Sequence, residues 1–309
     1  MKEFIPVFLK GAAMGAANVI PGVSGGTVAF VTGIYERLIT AIKSCDVTAI
    51  KLLLSGSVTA FTKRIDFGFL LSLGLGVIFS IITLARVLEY FFTHQPVLVY
   101  AFFFGLILAS IYFVGKRVEK WGGVAIAALA VGALIAVAVA LLSPASQNAS
   151  PVYLVLCGVV AMASMIIPGL SGSFVLLLMG NYALIMIDSV NKLSSGDMSA
   201  MKILIPVGIG AVVGLLALSH LLAWVFKKYH DVAVALLTGF VAGSLLVIWP
   251  WKEEEIATFE KGGEIKEKVI GYEWLLPELS TTTFIAVGLI IVGILTVWVM
   301  EKFGAVKTD

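Results

Sequence analysis

Charge is what this chain has least of. Asp, Glu, Lys and Arg make up 13% of its 309 residues, about half the ~25% usual in a soluble domain. With 60% hydrophobic residues and a mean hydropathy of +1.06, the composition is that of an integral membrane protein. The net charge of +2 is too small to argue for a nucleic-acid partner. Two cysteines, Cys45 and Cys157, make no disulfide framework. The start, Met1 to Pro6, lacks a signal peptide's charged head, unbroken apolar run and small-residue cleavage site. It reads as a retained, short amphipathic lead-in. No cofactor or metal site is indicated, and no compact His/Asp/Arg constellation supports a lipid phosphatase.

What the chain does have is a membrane-grade apolar region that is broken twice. Residues 11–42 are interrupted by Asn18-Val19-Ile20-Pro21-Gly22-Val23-Ser24-Gly25-Gly26-Thr27, and residues 152–187 by Ile166-Ile167-Pro168-Gly169-Leu170-Ser171-Gly172-Ser173. Proline lacks an N–H and glycine adds backbone entropy, so neither stretch continues a straight helix. Each arm is too short for a bilayer core, which needs roughly 20 helical residues. A re-entrant hairpin fits both places, with a turn at Pro21–Gly26 in the first and a return half-helix from Thr27. Full spans are expected at 67–90, 97–115 and 123–142, then at 203–226, 232–249 and 282–300. Residues 43–66 form a polar amphipathic connection. The segment 251–283, with eight Glu and four Lys, is expected as an exterior loop.

The two breaks align at an offset of 147 residues. Gly11 falls on Gly158, Pro21-Gly22 on Pro168-Gly169, Ser24-Gly25 on Ser171-Gly172, Gly33 on Gly180 and Tyr35 on Tyr182. Further on, Gly74 and Gly76 match Gly208 and Gly210, and Gly105 and Ser110 match Gly239 and Ser244, at an offset of 134. The expected fold is therefore an all-α membrane protein with an inverted repeat, 1–150 and 151–309. Each half is a broken hairpin plus three spans, an odd number, so the second half must be inverted. With both termini in the cytoplasm, fourteen Lys and Arg lie inside and six outside, Arg86 in a span completing the 21. That bias obeys the positive-inside rule.

Two hairpins entering from opposite sides bring their Ser-Gly turns together near the midplane. Each turn precedes a new helix, whose free N–H groups and positive dipole end suit an anion. Two such breaks in corresponding places point to a transporter's binding site. Ser24 and Ser171 are candidate N-caps. Gly25, Gly26 and Gly172 open the backbone, Thr27 and Ser173 add hydroxyls, and Asn18 is a candidate cavity-lining amide. Close packing through small residues is the competing account of the same glycines. Glu36 and Arg37 lie roughly 15 Å of helix beyond the first turn, at the cytoplasmic rim, where interfacial anchoring is the plainer role. Arg86, about 28 Å of helix rise past Phe67, lies near the exterior rim. It is a snorkelling arginine or an anion contact, with Glu89 and His94 as candidate partners.

The quoted motifs, with Gly33-Ile34-Tyr35-Glu36, resemble the bacterial and archaeal polyprenyl-phosphate (undecaprenyl-phosphate) translocases over essentially the whole chain. The resemblance implies a multi-pass protein of the cell membrane whose partner is a polyprenyl-phosphate lipid, flipped from outer to inner leaflet for carrier recycling. It leaves room for a homodimer. The second motif departs from the first, with Ser173-Phe174 where the first has Gly26-Thr27.

Two rival readings stand beside it. A channel or carrier for chloride or a small organic anion would use the same broken helices. A rhomboid-like serine protease would use Gly169-Leu170-Ser171-Gly172 with His220, 49 residues on. Against the protease, the Ser-Gly motif occurs twice and follows Pro-Gly each time.

Overall fold

A computed structural model of the chain describes residues 4–19, 24–261 and 264–304. Apolar runs fold as helices because hydrocarbon offers a backbone N–H or C=O no partner outside its own helix. The first part of the chain forms α1 (Phe4–Val19), α2 (Gly25–Val31), α3 (Tyr35–Lys43), α4 (Val47–Leu54), α5 (Val58–Arg64), α6 (Phe67–His94), α7 (Pro96–Gly115) and α8 (Gly123–Ala140). The second part forms α9 (Pro151–Ile166), α10 (Gly172–Leu178), α11 (Ser189–Ser194), α12 (Met201–Lys228), α13 (His230–Ser244) and α14 (Thr281–Gly304). A π-helical turn, Ala183–Asp188, precedes α11, and a 3₁₀ turn, Met198–Ala200, leads into α12.

Among the described residues, four helices are long and apolar enough to cross a bilayer: Pro96–Gly115, Gly123–Ala140, Met198–Lys228 and Thr281–Val299. The pair α5 and α6, bent by 65°, makes a fifth candidate. Ile82, Val124, Leu134 and Ile209 are each more than half exposed. Apolar surface on that scale is a liability in water and a requirement in lipid. The chain is a helical, multi-pass integral membrane protein.

Four helix pairs carry the packing: α1 with α6, α9 with α12, α7 with α14, and α8 with α13. Glycines on both members set each approach. A Cβ added at Gly11 would overlap the Leu73 carbonyl of α6, and one at Gly76 the Phe8 carbonyl of α1. Gly158 and Gly210 meet the carbonyls of Val207 and Val155 in the same way. Gly105 and Gly293 meet Ile290 and Phe102, and Gly132 and Gly239 meet Leu236 and Leu129. Helices in lipid gain little from hydrophobicity when they associate, so close backbone contact has to hold them. Gly11 meets α6 as Gly158 meets α12, and Gly105 meets α14 as Gly239 meets α8.

The hairpins are more broken than the sequence indicates. Each return arm stops after seven residues, at a glycine with φ +74°, Gly33 after α2 and Gly180 after α10. Both ends are closed alike. Gly33 N donates to Phe30 O (3.3 Å) and Ile34 N to Ala29 O (3.0 Å). Gly180 N donates to Leu177 O (2.9 Å) and Asn181 N to Leu176 O (3.0 Å). This is the Schellman closure, which needs a left-handed residue and hence favours glycine. Beyond it lie the amphipathic α3 in one case and the π-helical turn in the other.

Asp46 caps α4 by accepting from Ala49 N (2.9 Å) and pairs with Arg64 (2.5 Å). The hydrogen bond from Arg64, helped by the Ala49 amide, brings its carboxyl down to about 2. The expected span 232–249 is shorter, a helix from His230 to Ser244 followed by turns. The expected loop 251–283 holds a β-hairpin, β1 (Lys252–Lys261) antiparallel to β2 (Glu264–Trp274), with Lys252 opposite Trp274 and a bulge between Glu255 and Ile256.

Two glycines on α12 test the packing. A Cβ at Gly210 would strike Val155 O, whereas one at Gly208 meets nothing within 4 Å. Gly210→Ala is expected to cost about 1–3 kcal/mol, the usual range for overpacking, and to lower the unfolding midpoint in detergent. Gly208→Ala is expected to leave the midpoint where it is.

Candidate functional site

The two breaks meet. At the first, Ser24 (φ −108°, ψ 134°) caps α2 and accepts from Gly26 N (3.1 Å). Asn18, an exposed residue near the end of α1, accepts from Gly25 N through Oδ1 (2.8 Å). Thr27 N donates to Ser24 O (3.0 Å). The expectation that these amides stand free is therefore corrected. Asn18 and Ser24 already occupy them. Pro21 and Gly22 lie outside the described residues.

The first tip spends its side chains on the second. Ser24 Oγ donates to Met165 O (3.2 Å), Tyr35 OH donates to Ile166 O (3.0 Å), and Gly169 N donates to Thr27 Oγ1 (2.8 Å). Gly26 permits this approach, because an added Cβ would lie 2.7 Å from Met165 O and 2.8 Å from Ile166 O. Ser24, Thr27 and Tyr35 are all buried, and each has the partner that burial demands.

The second tip is built alike but spends less. Ser171 caps α10 with nearly the same backbone (φ −103°, ψ 131°), yet its hydroxyl bonds no amide. It lies 2.8 Å from Ser173 Oγ instead. Val175 N donates to Ser171 O (3.0 Å). The amides of Gly172, Ser173 and Phe174 have no acceptor among the described residues. Two hydroxyls that share one hydrogen bond still have one O–H to give. The arrangement is donor-rich and offers no carboxylate.

The rim groups divide differently. Arg37 is engaged by Asp66 (Nε to Oδ2, 2.7 Å) and lies 4.5 Å over the Phe69 ring. Glu36 meets His230 Nε2 at 3.1 Å. His230 also lines an open hollow of about 320 Å³ with Glu119, Lys228, Tyr229, Asp231 and Val232. The side chains of Arg86 and Glu89, both in α6, lie outside the described residues. His94 stacks on Tyr90 at 4.2 Å. Ser171 and His220 form no dyad. His220 is exposed and bonds the Leu216 carbonyl of its own helix (2.8 Å).

Two cations escaped the sequence reading. Lys10 Nζ donates to Thr32 O (2.9 Å), and Arg117 donates to Phe30 O (3.3 Å) and Val31 O (3.2 Å). Both sit on the negative end of α2. The corresponding end of α10 is closed without charge, by Ala145 N on Leu178 O (2.7 Å) and by Asn148 and Asn181 bonded to one another. Arg117 had counted only as one more inside charge, since nothing local in the sequence links it to α2.

The family model described as VCA0040-like, undecaprenyl phosphate translocase-like, matches residues 14–266. A polyprenyl-phosphate transporter of Vibrio cholerae is 37% identical over 251 residues, covering 81% of this chain and 79% of that protein. A polyprenyl-phosphate transporter of Staphylococcus aureus is 26% identical over 260 residues, covering 78% of this chain and 85% of that protein. No solved structure matches the chain.

The junction between the tips can be cut one bond at a time. Thr27→Val leaves the Gly169 amide without its acceptor and is expected to destabilise by about 1–3 kcal/mol. Tyr35→Phe, which removes a donor from Ile166 O, is expected to cost about 1 kcal/mol. Thermal unfolding of each variant in detergent reads both. Unchanged midpoints would show that the tips are held some other way.

Proposed function

The chain belongs to the undecaprenyl phosphate translocase-like family, and we propose that it moves polyprenyl phosphate across the cell membrane, from the outer leaflet to the inner. One observation carries the reading at the level of the site. Two broken helices meet, and one of the two tips, Ser171-Gly172-Ser173, keeps its donors for something else. A phosphate head group needs such a place. Taking it bare through hydrocarbon costs several kcal/mol or more, whereas the isoprenoid tail can remain in lipid throughout.

The same proposal gives the chain an inverted repeat, 1–150 and 151–309. Its support is the matched capping geometry of Ser24 and Ser171, the matched closures at Gly33 and Gly180, and the matched glycine contacts. With the shorter α13 counted as a span, three spans and a hairpin per half set the tips on opposite approaches in this scheme, with both termini in the cytoplasm by the count of Lys and Arg. In this scheme the head group enters past Arg86, is held at Ser171 and Ser173, and leaves on the side of Glu36 and Arg37, with Asn18 as a further amide on its path. Ser24, Gly25, Gly26 and Thr27 hold the second tip in place. The protein acts as a transporter and makes or breaks no covalent bond.

Leaflet-resolved movement of undecaprenyl phosphate in proteoliposomes tests this. The wild-type chain is expected to accelerate movement over protein-free vesicles. Ser171→Ala with Ser173→Ala is expected to slow it roughly tenfold or more, the scale of lost hydrogen bonds to a charged group. Chloride flux without lipid movement would sink the reading in favour of a small-anion channel.

A further inference from the structure

The helices α6 and α12 have 28 residues each, and Arg86 and His220 hold the same place in them, the twentieth. Each helix runs parallel to the one that leads into a break. Gly76 faces Phe8 O, Gly210 faces Val155 O, and Gly214 faces Val159 O. Carried from Val159 to the end of α9 at Ile166, that register reaches Leu221. His220 therefore stands at the depth of the second break. It also interrupts an exposed apolar stripe. Ile209, Val213 and Trp224, which share its side of α12, are each more than half exposed. With α12 centred in the bilayer, His220 lies about 8 Å past the midplane, inside a hydrocarbon half-thickness of ~15 Å. Trp224 and Lys228, whose ammonium is 5.5 Å from the Trp224 ring, follow one and two turns on, where an interfacial aromatic and a snorkelling lysine belong. The imidazole turns the other way, its Nδ1 meeting the Leu216 carbonyl (2.8 Å) one turn deeper. An anchoring histidine would reach for the interface instead.

We propose that His220 is a substrate-contacting residue, which meets the phosphate of the lipid through Nε2 on the lipid-facing side of the second break. The inference rests on the lipid-phosphate reading above. An ionisable group facing hydrocarbon needs a partner, and a lipid whose tail stays in the bilayer brings its head group along that surface. The Leu216 carbonyl can only accept, so Nδ1 carries the hydrogen of their bond, and Nε2 has no partner among the described residues. In the neutral ring Nε2 is then a bare acceptor. A phosphate monoester, whose second pKa is about 6, can travel as its monoanion and give its remaining P–O–H to that nitrogen. Passing the proton across makes P–O⁻ and H–Nε2⁺, with no other bond changed and no further reactant. Either form carries one negative charge less than a bare dianion, which lowers the cost of hydrocarbon. In the proposed repeat, Arg86 is the permanent charge of one approach and His220 the releasable charge of the other.

The chain has three histidines, His94, His220 and His230, so nitrogen NMR of the full protein in detergent, with isotopically labelled histidine, reads each ring. The His220→Phe variant assigns the signal. Farnesyl phosphate, its binding followed by phosphorus NMR, is expected to move the His220 Nε2 resonance from that of a bare nitrogen toward that of an N–H. Farnesol, its uncharged twin, is expected to leave the resonance in place. In proteoliposomes, His220→Phe is expected to slow undecaprenyl phosphate movement roughly tenfold, with His220→Arg, which matches Arg86, close to wild type. An unmoved Nε2 resonance with farnesyl phosphate bound overturns the contact and leaves translocation standing. A shift that farnesol reproduces reads the lipid tail alone, and overturns the contact too. If the wild-type chain does not prefer farnesyl phosphate to farnesol, the lipid-phosphate reading falls with it.

Discussion

A helix cannot simply stop inside a bilayer, because the N–H and C=O groups at its broken end have no water to bond. This chain breaks two helices within membrane-grade apolar sequence, and the packing around them answers the problem. The first break is closed locally by Asn18 and Ser24 and then braced against the second through Ser24, Thr27 and Tyr35. The carbonyl ends of the short arms are closed in turn, one by Lys10 and Arg117 and the other by the 145–148 backbone. Among the described residues of the two tips, one hydroxyl pair and three amides are left, all at the second. The proposed anion site draws on those donors.

Bracing of that kind needs helices that do not slide. The four glycine-lined pairs supply it, since backbone against backbone leaves no side chain to repack. The competing account of the turn glycines, close packing, fits Gly26 and Gly172, where an added Cβ would strike the α9 carbonyls of Met165 and Ile166 and of Ala161. The same kind of contact holds Gly11, Gly158, Gly105 and Gly239 along the spans. The same residue type therefore serves two ends. Glycines along the spans bring helices together, and glycines in the turns bring the tips together.

Much of this was legible in the sequence, and the boundary is physical. Proline and glycine in an apolar run announce a break whatever surrounds them, and spans announce themselves by length and hydropathy. Positions 33 and 180 could be matched as glycines, but their left-handed turns were not foreseen, because Gly-Ile and Gly-Asn read equally well as helix in an apolar context. The fate of the Gly25 and Gly26 amides was hidden for another reason. A cap can be inferred from Ser24, yet whether Asn18 turns inward to the turn or outward to a cavity depends on where α1 ends. The β-hairpin was missed because a charged segment of eight Glu and four Lys carries its strand signal weakly. Lys10 and Arg117 were invisible as partners of the α2 carbonyls, since those partners are brought to them by folding alone.

The inequality of the two tips has a consequence for transport. A carrier must bind its cargo strongly enough to admit it and weakly enough to release it, which favours few contacts at each stage over one deep site. Two open tips facing each other would combine six amides and several hydroxyls around a single phosphate, a trap more than a passage. By closing the first tip on itself and on its partner, the chain keeps the rigidity of two broken helices while offering the donors of one. In the proposed inverted repeat, duplication provides the matched geometry. In the proposed scheme, the exchange of Gly26-Thr27 for Ser173-Phe174 divides the labour, one copy holding and the other meeting the cargo.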